Sequence, residues 1–197
     1  MNLAIFASYN GSILEPILEN IQNNTLNIKI SLIITNNSNA FVIQKAKKQN
    51  IPYKIINQTL FPNQDLNMII LDELKNAKID YILLAGYMKK IDEPLIKAYP
   101  NKIINTHPSL LPKYGGVGMY GRSVHEAVLK NREKESGVTA HYVDSKYDEG
   151  VIIAQKSLKI DSLWDIEKLE KSIKNLEQIM IIDVLRDISK DESNISF

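Results

Sequence analysis

No cysteine occurs among the 197 residues, which excludes disulfides, thiolate catalysis and cysteine-based zinc sites together. Arginine is nearly as scarce, with only Arg122, Arg132 and Arg186. No Lys/Arg run exceeds two residues and the formal charge is +1, so the electrostatic footprint of a nucleic-acid-binding protein is missing. Long apolar runs are also lacking, and none approaches the roughly 20 residues that span a bilayer. The opening Met1-Asn2-Leu3-Ala4-Ile5-Phe6 has no basic segment and turns polar by Ser8, unlike a signal peptide. The expectation is a cytoplasmic protein with small-molecule partners, binding neither nucleic acid nor membrane, as a monomer or homodimer. What is present is ordinary for a globular chain: 44% hydrophobic and 24% charged residues, enough for a real core.

Short apolar runs alternate with longer amphipathic ones, the pattern of βα units over a parallel sheet. Residues 3–7, 28–34 and 81–85 read as buried strands, 52–56 as a weaker one, and 103–105 as a further one. Helical spacing occupies 13–21, 41–49, 65–75 and 93–98. Residues 137–143 and 151–157 form a later antiparallel pair around the polar loop 144–150. In 162–188 the apolar Ile166, Leu169, Ile173, Leu176 and Met180 recur at three- and four-residue steps, predicting a long helix packed on the sheet. The fold class is therefore α/β: a Rossmann-like, doubly wound, mostly parallel sheet in a single domain over 1–190. Fraying is expected from 187 onward, with 191–197 as a tail.

The most informative stretch is Asn105-Thr106-His107-Pro108-Ser109-Leu110-Leu111-Pro112, which follows the apolar Ile103-Ile104 directly. Residues two apart on a strand face the same way, so Asn105 and His107 aim at one spot, and Pro108 halts the strand there. That spot holds a hydrogen-bond donor beside a titratable imidazole. The other histidines, His125 and His141, lie 18 and 34 residues further on, at no metal-ligand spacing, so no metal is expected. His125 reads as a helix-face residue, and His141 as a packing or orienting residue within a strand. A histidine acting as acid or base wants a carboxylate beside it. Asp148, in the loop 144–150 that ends in a glycine and can curl over a neighbouring strand end, is the best candidate, with Asp144 and Glu149 of the same loop as close competitors.

Two further segments end strands. The loop Ala7-Ser8-Tyr9-Asn10-Gly11-Ser12 leads into the first helix, whose N-terminus can offer N–H groups to an anion, or be a plain turn with Ser12 as N-cap. The stretch Leu84-Ala85-Gly86-Tyr87-Met88-Lys89-Lys90-Ile91 ends a strand with small residues and then offers groups suited to a flat heteroaromatic ring, or to simple core packing.

Taken together, these motifs resemble the formyltransferase family that uses 10-formyltetrahydrofolate, over nearly the whole length. The segment 105–112 matches the family signature. Gly116-Val117-Gly118-Met119-Tyr120-Gly121, followed by Val124-His125-Glu126-Ala127, resembles one branch of its glycinamide ribonucleotide-using members, and 135–143 resembles the next strand. The resemblance implies the formyltransferase fold, and formyl transfer to the amine of glycinamide ribonucleotide in de novo purine biosynthesis by direct attack. The implied catalytic residues are Asn105, His107 and Asp148, with protonated His107 held charged by Asp148. Asn10, Gly11, Ser12, Ile13, Lys174 and Glu177 are implied for the acceptor substrate. Tyr87, Met88, Ile91, Asn105, Val143 and Asp144 are implied for the folate. The co-substrate implied is 10-formyltetrahydrofolate, with no metal. Alternatives are another amine acceptor (a sugar nucleotide or methionyl-tRNA) and a non-catalytic folate- or nucleotide-binding homologue. The chain departs from the family pattern at Tyr9, Ile13, Gln64 and Gln178, on the phosphate side rather than at the chemistry.

Overall fold

The computed structural model describes the backbone of residues 1–195 and the side chains of residues 1–190. The elements are β1 (Asn2–Phe6), α1 (Leu14–Gln22), β2 (Lys29–Thr35), α2 (Val42–Lys48), β3 (Tyr53–Ile55), α3 (Leu66–Asn76), β4 (Tyr81–Leu84), α4 (Glu93–Ala98), β5 (Ile103–His107), α5 (Arg122–Lys130), β6 (Glu135–Tyr142), β7 (Ile152–Lys159) and α6 (Ile166–Ile195). The seven strands are ordered β3-β2-β1-β4-β5-β6-β7 in one mostly parallel sheet. Chain order reverses between β1 and β4, the place where doubly wound sheets leave a crevice beyond their carboxyl ends. Backbone contacts group the chain into two compact units, one of 1–104 with the end of α6 from Ser189, the other Asn105–Ile188.

In the first unit, β1 pairs in parallel with β2 and β4, and β2 with β3. Leu3, Ala4, Ile5 and Phe6 are all fully buried, so β1 shows no alternation; a strand covered on both faces needs apolar residues on both. Leu14 and Ile17 of α1 and Leu74 of α3 belong to the same core. Asp65 caps α3 by accepting the Asn67 N–H at 2.9 Å. Ser12 does not cap α1: the cap position is Ile13, and the Gly11 carbonyl accepts the Leu14 N–H at 3.0 Å. Gly11, at φ +54°, turns the chain so that the helix starts one residue later than the serine predicts.

In the second unit, β6 and β7 pair antiparallel. Residues Ser136 to His141 of β6 are buried without interruption, whereas β7, the last strand in the order, alternates towards solvent. Val124 and Val128 of α5 pack with Leu169 and Ile173 of α6, with Trp164 and Tyr114 against them. α6 begins at Ile166 rather than 162 because the Asp165 carboxylate accepts the Lys168 N–H at 2.8 Å, capping the helix there. It then stays helical through Ile195, where fraying was expected from 187; Ser196 and Phe197, the end of that tail, lie outside the described residues. Among the described residues, no helix is long and apolar enough to cross a membrane.

Candidate active site

The strand β5 carries Asn105 and His107 to its C-terminal end, and Pro108 stops it directly after the imidazole. The following turn is pinned in place. Thr139 Oγ1 donates to the Ser109 carbonyl at 2.7 Å and accepts the Leu111 N–H at 3.0 Å, while Ser109 Oγ donates to the Lys113 carbonyl at 2.5 Å. His107 is 4% exposed. Its Nε2 lies 2.7 Å from the Tyr114 carbonyl, an atom that can only accept, so Nε2 keeps its hydrogen in either charge state. Nδ1 faces Asp148 Oδ2 at 3.4 Å and is the nitrogen that titrates.

Of the three competing acids, the structure brings Asp148 to the imidazole. Asp144 accepts the Lys146 N–H in a local turn, and Glu149 pairs with Lys146 at 2.9 Å, both away from His107. Asp148 sits at φ +57°, a left-handed conformation costly for a residue with a side chain, and its carboxylate accepts the Gly116 N–H at 3.0 Å. Its second oxygen lies 3.6 Å from His141 Nε2. His141 Nδ1 contacts its neighbour's carbonyl, Tyr142 O, at 2.9 Å, which assigns that nitrogen the hydrogen and leaves Nε2 to accept from the Asn105 amide at 3.2 Å. Asn105, His141, Asp148 and His107 thus form one connected group.

Burial pulls the His107 imidazole below its ordinary value, outweighing Asp148 and the Tyr114 carbonyl, which push it up. That corrects the expectation of a resting imidazolium: desolvation disfavours the charged ring more than one carboxylate at 3.4 Å restores it. Burial pushes Asp148 upward, but the neighbouring His141 ring, the Gly116 N–H and the His107 ring together leave it below the usual carboxylate range.

The remaining expected residues fall into separate groups. On α6, Glu177 accepts the Thr106 hydroxyl at 2.5 Å, and burial raises its carboxyl despite that bond and Lys174. Lys174, one turn earlier, is exposed. After β1, Asn10 is exposed and Ser12 half-buried, while Ile13 is buried and can offer only backbone. After β4, Tyr87 turns edge-on to Phe6 at 5.2 Å, and burial with the nearby Asp92 pushes its hydroxyl up to about 12. Met88 is half-exposed, Ile91 is buried in the core, and Val143 and Asp144 are half-buried past β6.

Two contributors escaped the sequence, and a third, His141, is legible there only as a packing or orienting residue without partners. The Tyr114 carbonyl, presented by a tyrosine at φ +57°, fixes the His107 tautomer, and nothing in residue type signals a carbonyl. His141 orients both Asn105 and Asp148, a role only tertiary proximity defines. Lys45 brings its ammonium to Glu15 at 2.7 Å and to the Gly11 carbonyl at 3.5 Å, a cation beside the first loop. His125 is indeed on a helix, buried in α5, and its Nδ1 has no hydrogen-bond partner among the described residues.

An imidazole facing a carboxylate beside an amide donor, at a strand end of a doubly wound sheet, is the kind of group that transfer through a tetrahedral intermediate calls for. The chain belongs to the formyl transferase family, whose model matches residues 1–185. It is 34% identical over 191 residues to the chloroplastic phosphoribosylglycinamide formyltransferase of Arabidopsis thaliana, covering 96% of this chain and 65% of that protein. With the phosphoribosylglycinamide formyltransferase of Bacillus subtilis, identity is 34% over 186 residues, covering 94% of this chain and 93% of the other. The crystal structure of phosphoribosylglycinamide formyltransferase from Bacillus halodurans matches with a TM-score of 0.89 at 31% identity, each chain covered completely.

Proposed function

We propose that this protein transfers the formyl group of 10-formyltetrahydrofolate to the amine of glycinamide ribonucleotide, in the cytoplasm, without a metal. The observation that carries this reading is the connected group of Asn105, His107 and Asp148, in a chain so similar to relatives of that name. Asn10, Gly11, Ser12 and Ile13 are assigned to the acceptor's phosphate, with Lys174 and Glu177 also serving the acceptor. Tyr87, Met88, Ile91, Val143 and Asp144 are assigned to the folate, with Asn105 facing its formyl group.

The amine attacks the formyl carbon, forming a C–N bond and a tetrahedral oxyanion. The Asn105 amide donates to that oxygen. The attacking nitrogen must lose a proton, and the neutral His107 Nδ1 is the available acceptor, with Asp148 beside it stabilising the imidazolium so formed. The carbon–N10 bond then breaks, and the same proton, relayed through water at the His107–Asp148 pair, passes to N10 as tetrahydrofolate leaves. Atoms and charge balance with no covalent enzyme intermediate, because the bound amine is the nucleophile.

A steady-state assay with both substrates tests the reading. Formyl transfer that saturates in both is expected. Transfer to another amine, with none to glycinamide ribonucleotide, moves the acceptor assignment; binding of folate with no turnover on any amine marks a non-catalytic homologue.

A further inference from the structure

Ser8 takes no part in the proton transfers, yet it is 1% exposed and bonded in every direction. Its hydroxyl donates to Asn36 Oδ1 at 2.5 Å and accepts the Met88 N–H at 2.7 Å. Its own N–H donates to the Gly86 carbonyl at 3.2 Å, and its carbonyl accepts the Asn37 side-chain N–H at 3.0 Å. Four bonds from one residue join the chain beyond β1, β2 and β4. β1 and β4 flank the point of reversal in strand order, and their ladder stops at Phe6 and Leu84. Past that point the sheet offers no regular pairing, so loop positions depend on bonds such as these.

The chemistry suits a hydroxyl. It donates once and still has lone pairs to accept with, so it can serve a carbonyl oxygen and an N–H at the same time. Asn36 sets its direction: the amide oxygen takes the hydroxyl hydrogen and leaves a lone pair for Met88. Asn36 is itself held, its carbonyl accepting the Asn57 side-chain N–H at 3.0 Å. The partner segment turns at Gly86, at φ +70°, where a Cβ would meet nothing within 4 Å among the described residues beyond its chain neighbours, so side-chain packing does not hold the turn. On the other side, Tyr9 follows Ser8, and its carbonyl accepts the Val42 N–H at 3.0 Å, fixing the far side of the turn.

We propose that Ser8 is a positioning residue that sets the acceptor loop 9–12 and the folate segment 86–88 in register, so that binding of both substrates depends on one hydroxyl. This rests on the assignment of those two segments to acceptor and donor. Removing the hydroxyl leaves the Met88 N–H without its acceptor and cuts the side-chain tie to Asn36. The first loop then meets the folate segment only through the Ser8 N–H on the Gly86 carbonyl, one bond where there were two. The chemical step, carried by other residues, is untouched.

The experiment is steady-state kinetics of Ser8→Ala with 10-formyltetrahydrofolate and glycinamide ribonucleotide each varied at saturation of the other. Both KM values are expected to rise about tenfold, equal to about 1.4 kcal/mol each, with kcat within about threefold of the starting protein. Ser8→Thr, which keeps the hydroxyl, brings both KM values back down. Asn36→Ala, which leaves Ser8 in place but undirected, moves both in the same direction by less, and it carries the test if Ser8→Ala does not fold. A change in only one KM, or a fall in kcat with both KM values unmoved, overturns the proposal while leaving the functional reading intact. Absence of formyl transfer by the unaltered protein overturns the functional reading and this proposal with it.

Discussion

His107 has two ring nitrogens with different fates. Nε2 is committed to the Tyr114 carbonyl, so every proton the ring gains or loses passes through Nδ1, on the Asp148 side. The two side chains therefore act as one unit. His107→Ala and Asp148→Ala should each lower kcat by roughly two to four orders of magnitude, and the double variant should fall far short of the product of the two losses. Single-turnover rates of the three variants check this, and full multiplicative loss in the double variant contradicts the pairing. Because burial holds His107 below 6.5, the neutral ring that accepts the amine proton predominates at pH 7. The acid limb of kcat/KM should accordingly lie below pH 6.5; an acid limb above that value would sink the assignment of a neutral base.

At the scale of elements, the loop between β6 and β7 decides where Asp148 stands, and Gly150 decides whether that loop can close. A Cβ on Gly150 would meet the Tyr142 carbonyl, with His141 Nδ1 at 3.5 Å. The same carbonyl faces His141 Nδ1 at 2.9 Å, so displacing it disturbs the ring that orients Asn105 and Asp148. Gly150→Ala should cost about 1–3 kcal/mol of stability, the usual range for forced overpacking, and reduce kcat as well. Chemical denaturation and turnover measured on the same preparation check both parts; an unchanged midpoint would show that the loop yields without strain. The sequence marks Gly150 as a loop end. The clash that makes it a glycine depends on the backbone of the strand before it, which no local pattern specifies.

Across the whole molecule, two buried imidazoles set the response to mild acid. Burial lowers both His107 and His125, against raising charges from Asp148 and Glu170 respectively. The unfolded chain binds protons at about 6.5 while the folded chain resists them, so this contribution to stability is full above pH 6.5 and is lost as pH falls through the lower folded values. Asp148 and Asp183, both depressed, hold their contributions until pH drops below 3.8, well beneath that window. Glu177, raised by burial, works the opposite way and costs stability as pH rises above 4.5. The thermal midpoint should decline as pH is lowered from 7.5 to 5.5, each kcal/mol reading as roughly 2–4 °C in a chain of this size. His125→Leu removes one of the two titrations and an imidazole nitrogen with no partner among the described residues, so it should flatten the profile. A slope unchanged by that substitution would refute the role of His125.

The alternation of strands and helices is legible in the chain alone, because buried parallel strands demand uninterrupted apolar runs and their helices demand three- and four-residue spacing. That Asn105 and His107 share a face is legible there too, since the two-residue period of a strand is fixed by covalent geometry and Pro108 marks where the strand must end. Element ends were less legible: α1 starts after a positive-φ glycine and α6 after an aspartate cap, each a competition between neighbouring residues that differs by little in energy. Residue chemistry left Asp144 and Glu149 as close competitors of Asp148, the family resemblance narrowed the choice to Asp148, and the path of the loop brings that carboxylate to the imidazole. Only the tertiary structure showed the Tyr114 carbonyl as a partner and gave His141, read as packing or orienting, the groups it orients, since a backbone oxygen has no signature and a histidine's partners depend on its neighbours. The protonation of His107 likewise followed from tertiary burial, because desolvation depends on what surrounds the ring rather than on what precedes it in the chain.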